Sequence, residues 1–149
     1  MLLKIKLILI LILFYQTPLL SKSNSFEKID SKNLSKYFSG IVASGNQKNS
    51  EALEFFNSSK ILINKHDPYL KRYVYTLVLE NKVSQAINYV RQNQDKDNAK
   101  FFDAYLLLLI DSLKKNDLDT AFNVISKAHK FVEEDRFNLA ILESFKQYA

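Results

Sequence analysis

The chain has 149 residues, of which 47% are apolar, with 2 Gly, 2 Pro and no Cys. That length holds one domain, and so few turn formers exclude a β-sandwich, a β-barrel or a Gly-rich nucleotide fold; the missing Cys excludes disulfides, thiolate nucleophiles, cysteine zinc sites and a lipidated N-terminal Cys. Of the formal charge of +5, Lys4 and Lys6 supply two units, and the +3 left is spread too evenly for a nucleic-acid footprint.

Residues 1–21 read MLLKIKLILILILFYQTPLLS. Lys4 and Lys6 form a basic start, Leu7 to Tyr15 a nine-residue apolar run, and Gln16, Thr17 and Pro18 break it before small Ser21. This is the pattern of a secretory signal peptide. The second reading is a retained membrane anchor, although charged and polar residues interrupt the roughly 20 apolar residues a spanning helix needs. In a bacterium either reading exports the rest, to the periplasm or to the outer face of the inner membrane. Residues 22–33 (KSNSFEKIDSKN) are polar and read as a linker, and residues 34–149 as the folded domain.

From Leu34 onward apolar residues recur at intervals of three and four, as in Leu53 with Phe56, Ile87 with Val90 and Phe122 with Ile125. The period is helical. It predicts seven helices, near 34–45, 50–65, 68–80, 83–94, 99–115, 117–131 and 136–148. Gly45 and Asn46 mark a C-terminal stop, Ser50 an N-cap, and Asp67 an N-cap before Pro68 in a first turn. Asn81–Lys82 and Asn116–Asp117 are further breaks, short enough to make neighbouring helices antiparallel.

An internal repeat organises these helices. Ala52, Ala86 and Ala121 stand 34 and 35 residues apart. Four residues after each comes a bulky apolar group (Phe56, Val90, Ile125), and seven after each comes Ser59, Asn93 or Ala128. Twelve residues before each stands Gly40, Val74 or Leu109, and a break precedes each Ala by four to five residues. A small residue lets two helices cross closely, and the larger one a turn later fills the space beside the crossing. Three copies of this pair predict one helical hairpin stacked three times, each the wall of the next.

The pattern resembles the tetratricopeptide repeat, a helix–turn–helix unit of 34 residues. The best match is Ala104 to Ala128 (AYLLLLIDSLKKNDLDTAFNVISKA), where Asn116–Asp117 occupies the family's Gly-Asp turn and Leu118, Ala121, Ile125 and Ala128 follow. The first unit matches through Gly40, Ala52, Phe56 and Ser59; the middle unit departs at Val74 and Asn93. The Pro that ends the family's units is replaced by Asn64, Asn98 and Glu133. The resemblance implies an all-α, right-handed α-solenoid of about three hairpins over residues 34–149. The segment Phe137 to Tyr148 is then either a terminal capping helix or the first helix of a longer array.

The resemblance also implies a function. In the family the first helix of each unit lines a concave face that holds a peptide, which here maps to Tyr37 and Ile41, to Lys71, Tyr75 and Val78, and to Leu106, Ile110 and Leu113. The expected protein is a non-catalytic scaffold of the bacterial cell envelope that binds a protein or peptide partner. The alternative is an accessory subunit of an envelope enzyme complex. A carboxylate-gripping subclass uses Lys and Asn in its first helices, and Tyr37 and Ile41 stand where the first unit would need them.

Chemistry is otherwise sparse. His66 and His129 each read as a surface residue near a helix end. Glu133, Glu134 and Asp135 are adjacent and point apart on a helix, so they read as a solvated face. No phosphate loop, HExxH or GxSxG motif occurs, so the reading assigns no catalytic residue, no metal and no cofactor. Phe55, Phe56, Phe101, Phe102, Phe122 and Phe131 read as core.

Overall fold

The helical period becomes helix wherever an apolar face can be covered. A computed structural model describes residues 30–132 and 135–147, and among them there are seven α-helices and no strand. They are α1 (Ser31–Gly45), α2 (Asn49–Asn57), α3 (Pro68–Leu79), α4 (Val83–Asn93), α5 (Phe102–Lys114), α6 (Leu118–Ala128) and α7 (Arg136–Lys146). Short 3₁₀ segments Lys60–Asn64, Asp97–Ala99 and His129–Phe131 follow α2, α4 and α6. The apolar segment at 1–21 and most of the polar 22–33 lie outside the described residues; of the latter, Ser31 to Asn33 already belong to α1. Among the described residues no helix is long and apolar enough to cross a membrane.

Three hairpins pair α1 with α2, α3 with α4 and α5 with α6, and each turns in the same way. Gln47, Asn81 and Asn116 adopt left-handed backbone (φ 60°, 57° and 56°). They are spaced as Ala52, Ala86 and Ala121 are. The amides that follow, of Lys48, Lys82 and Asp117, donate back to the carbonyls of Ala43, Leu77 and Ser112 at 3.0, 2.8 and 3.0 Å. The left-handed residues' own amides bond Ser44, Val78 and Leu113, each at 3.0 Å. This is the Schellman ending, which uses up the last carbonyls of a helix and reverses the chain. Gly45 ends α1 with an ordinary φ, and the left-handed position expected of a glycine is filled by Gln47.

The repeat positions share one environment. Ala52, Ala86 and Ala121 are each 0% exposed, and Phe56, Val90, Ile125, Ser59, Asn93 and Ala128 are all buried around them. Gly40 is buried where α1 crosses α2, and a Cβ there would sit 2.8 Å from Cε1 of Phe56. No larger residue fits without moving that ring.

Local boundaries differ from the sequence expectation for identifiable reasons. The expected helix 50–65 breaks at Ser58 and Ser59, whose hydroxyls both donate to the Phe55 carbonyl at 2.9 Å, while the Tyr69 hydroxyl donates to the Phe56 carbonyl. Side chains thus take acceptors that a continuing helix would use. Ser50 lies inside α2 and Asp67 makes no side-chain cap, although Pro68 does open α3. Working caps stand elsewhere: Asp30 accepts from the Lys32 amide, and Asp117 from the Thr120 amide, each at 3.1 Å. Asp135, expected on a solvated face, caps α7 by accepting from the Phe137 and Asn138 amides at 3.1 Å; Glu133 and Glu134 lie outside the described residues.

Two cores result. The first joins α1 to α4 and reaches Ala99 and Ala104; the second is built from α5, α6, Val132 and Leu142 of α7, with Leu108 packed against both. Not every Phe is core. Phe56 and Phe102 are buried, Phe55 and Phe101 half-buried, and Phe122 and Phe131 remain 44% and 40% exposed.

Candidate functional site

Helix α3 has two faces. Tyr73, Val74 and Leu77 are buried, whereas Tyr75, between them in sequence, is 55% exposed. Lys71, Tyr75 and Val78 stand at intervals of four and three, so they form one stripe along the helix, exposed at Lys71 and Tyr75 and half-buried against the first core at Val78. On α5, Leu106 and Ile110 form a matching pair one turn apart, with Ile110 45% exposed. The two stripes face a common groove of about 770 Å³. Pro68, Arg72, Val74, Phe101, Asp103 and Leu107 complete its walls.

The groove has a polar end and an apolar end. Near the starts of α3 and α5, the Lys71 ammonium lies 3.7 Å from the Asp103 carboxylate and 5.8 Å from the centre of the Phe101 ring. Both partners of the ion pair are more than half exposed, so it contributes about 0–1 kcal/mol and opens readily to an incoming group. Toward the helix C-termini the lining is Tyr75, Val78, Leu106 and Ile110. Such a surface grips side chains of an extended or helical segment; it brings no nucleophile and base together.

Five of the eight residues expected on a partner-binding face therefore meet: Lys71, Tyr75, Val78, Leu106 and Ile110. The other three do not line this groove. Tyr37 shares the repeat register of Lys71 and Leu106, yet it is 2% exposed, its ring beneath His66 (4.7 Å between centres) and Tyr69 (5.6 Å). It is a core residue, unavailable to a partner. Ile41 is half-buried against the first core and Leu113 against the second. Periodicity in a single helix carries no information about the linker that folds over it.

Phe101 and Asp103 were not among the expected site residues. Phe101 read as core and does pack against the first core; preceding α5 in extended backbone (φ −137°, ψ 152°), it also lines the groove. The usable signal was Asp103 in the first turn of a helix whose neighbour carries Lys71 near its own start.

The histidines serve packing. His66 meets Tyr37 edge to face, and His129 Nε2 lies 2.9 Å from Glu143 Oε1, tying the end of α6 to α7. That bond, with Lys146 nearby, holds the Glu143 carboxyl below its ordinary range. Among the described residues no group of three or more His, Cys, Asp or Glu is placed to hold a metal ion. No known protein family matches the chain, and no curated protein is a significant match to it.

Proposed function

We propose that this protein is a non-catalytic scaffold that holds a protein or peptide partner in the groove between α3 and α5. The observation that carries the reading is the pairing of apolar stripes, Tyr75 with Val78 and Leu106 with Ile110, along one continuous groove, in which Tyr75 and Ile110 are 55% and 45% exposed. Val78 and Leu106 rest against the two cores, while Tyr75 and Ile110 stand clear of both and are not needed to close them. The groove lies between the first helices of successive hairpins, and the three identical turns suit a right-handed, tetratricopeptide-like solenoid in which that surface is preformed. Preformed area lowers the ordering cost of binding an otherwise mobile segment. With residues 1–21 acting as signal peptide or anchor, the scaffold works in the bacterial cell envelope.

The test places a photo-crosslinking residue at Tyr75 in the full chain, expressed in cells. A discrete protein adduct is expected at Tyr75, none from the same residue at exposed Lys114, and loss of the adduct when Ile110→Asp is added. Adducts that are absent, or that ignore Ile110→Asp, overturn the reading.

A further inference from the structure

The junctions between successive hairpins share one register but are filled differently. Where the second hairpin meets the first, Tyr73 of α3 and Tyr89 of α4 meet edge to face, 4.9 Å between ring centres. The Lys60 ammonium lies 5.4 and 5.3 Å from those centres, and the Tyr73 hydroxyl donates to Asn57 Oδ1 at 2.8 Å. Counted from the matching turns and alanines, the places of Tyr73, Tyr89, Lys60 and Asn57 are held at the next junction by Leu108, Val124, Gln94 and Arg91. Both rings are gone, and these four residues line a recess of about 260 Å³ between α4, α5 and α6. It opens on the other side of α5 from the groove residues Asp103, Leu106 and Ile110. Inside, Ser112 and Val124 are buried, and the Ser112 hydroxyl is spent on the Leu108 carbonyl at 2.9 Å, so the inner wall is apolar. Tyr105 adds a ring to that wall, held by stacking on Phe131 at 5.2 Å. The exposed rim carries two cations, Arg91 and Lys127, and one anion, Asp95.

We infer that this recess binds a small aromatic carboxylate, its ring in the space that Tyr73 and Tyr89 fill one repeat earlier and its carboxylate on Arg91 and Lys127. The ring follows from the register: the same helical frame holds two phenol rings at the first junction, and here smaller side chains leave an apolar space beside Tyr105. The charge follows from the rim, where cations outnumber the one carboxylate. Asp111 Oδ2 accepts from both Arg91 and Lys115, which fixes the guanidinium through Nη2 and leaves its other N–H groups for a planar carboxylate. Lys127 makes no ion pair among the described residues. The volume lies just below the roughly 300–1,000 Å³ of pockets for drug-sized ligands, which suits one substituted ring and excludes a peptide segment. The site is therefore separate from the partner groove between α3 and α5.

Equilibrium dialysis of the purified full chain in detergent, against a micelle blank, tests this with benzoate as the probe. Benzyl alcohol keeps the ring without the charge, and acetate keeps the charge without the ring. The inference expects one benzoate per chain with Kd of about 1 mM or tighter, and binding of either half-probe weaker by about tenfold or more. Val124→Tyr restores the side chain that the first junction carries at this place, and should abolish benzoate binding in a chain whose far-ultraviolet circular dichroism is unchanged. Lys127→Gln should weaken it about tenfold; Lys127 is exposed, so this variant keeps the test decisive should Val124→Tyr fail to fold. Absence of saturable benzoate binding overturns the inference. Acetate that binds as well as benzoate means an adventitious ion only and overturns it too, as does binding that survives Lys127→Gln or a folded Val124→Tyr.

Discussion

The two cores solve one packing problem with different chemistry. In the first, Tyr37, Phe56, Tyr69 and Tyr73 form a chain of rings 5.6–6.0 Å apart, and Lys60 lies 5.4 and 5.3 Å from the rings of Tyr73 and Tyr89. The Tyr69 and Tyr73 hydroxyls end on fixed acceptors, which sets the orientation of those two rings. Burial, the larger cause, pushes the Tyr73 phenol up to about 12, and Tyr69 is raised further for the same reason. The second core is mainly aliphatic: Leu109, Val124, Ile125, Val132 and Leu142 surround Ala121 and Ala128, with Phe102 as its buried ring. Aliphatic contacts have no preferred direction, and α7 packs on this core as a single helix. Leu142, Leu139 and Phe145 seat it on that core, Asp135 caps its start, and the His129–Glu143 pair ties it to the end of α6. The comparison teaches that a repeated backbone turn fixes where helices lie, while side-chain chemistry fixes how tightly each junction is held.

The largest expected effects separate the cores. Phe56→Ala removes a fully buried ring from the aromatic chain and should cost about 3–5 kcal/mol, against about 2–5 kcal/mol for Leu142→Ala. The pattern differs as well. By hydrogen exchange, Leu142→Ala should strip protection from α7 first and leave α1 to α4 protected, whereas Phe56→Ala should lower protection across the first four helices. Uniform loss in both variants would erase the distinction.

A smaller effect sharpens the role of the turn and crossing in the first hairpin. In Gly40→Ala the new methyl meets the buried Phe56 ring at 2.8 Å, a clash costing about 1–3 kcal/mol, against roughly 1 kcal/mol gained from helix propensity. At Gly45 a Cβ meets no atom within 4 Å, so Gly45→Ala should stabilise by up to about 1 kcal/mol. Urea denaturation should show the two substitutions moving in opposite directions.

The smallest effect concerns α7 and pH. The Glu143 carboxyl is held below its ordinary value of 4.5, chiefly by the His129 bond and then by Lys146. A depressed carboxyl contributes stability above its unfolded value, and that contribution is lost as pH falls through the folded one. Protection of α7 amides should therefore weaken as pH drops below about 4.5, ahead of α1 to α4. Glu143→Gln should flatten this difference between the two ends.

Much of this was legible in the chain itself. Ala52, Ala86 and Ala121 mark helix crossings because only a small side chain allows such an approach, and their spacing located the three turns. The groove stripes on α3 and α5 followed from the same register. Legibility failed where distant groups compete for a position. The Ser58–Ser59 break in the second expected helix depends on carbonyls taken by hydroxyls, one of them from Tyr69 in the next hairpin.

Local sequence set the helical period, the repeat interval and the sites of chain reversal, since each depends on interactions within a few residues. Tertiary structure alone decided which of the matched positions stay open. Tyr37, Lys71 and Leu106 are equivalent along the repeat, yet His66 and Tyr69 close over the first while the other two face a groove. Exposure depends on what arrives from elsewhere in the chain, and a period in one helix cannot encode that.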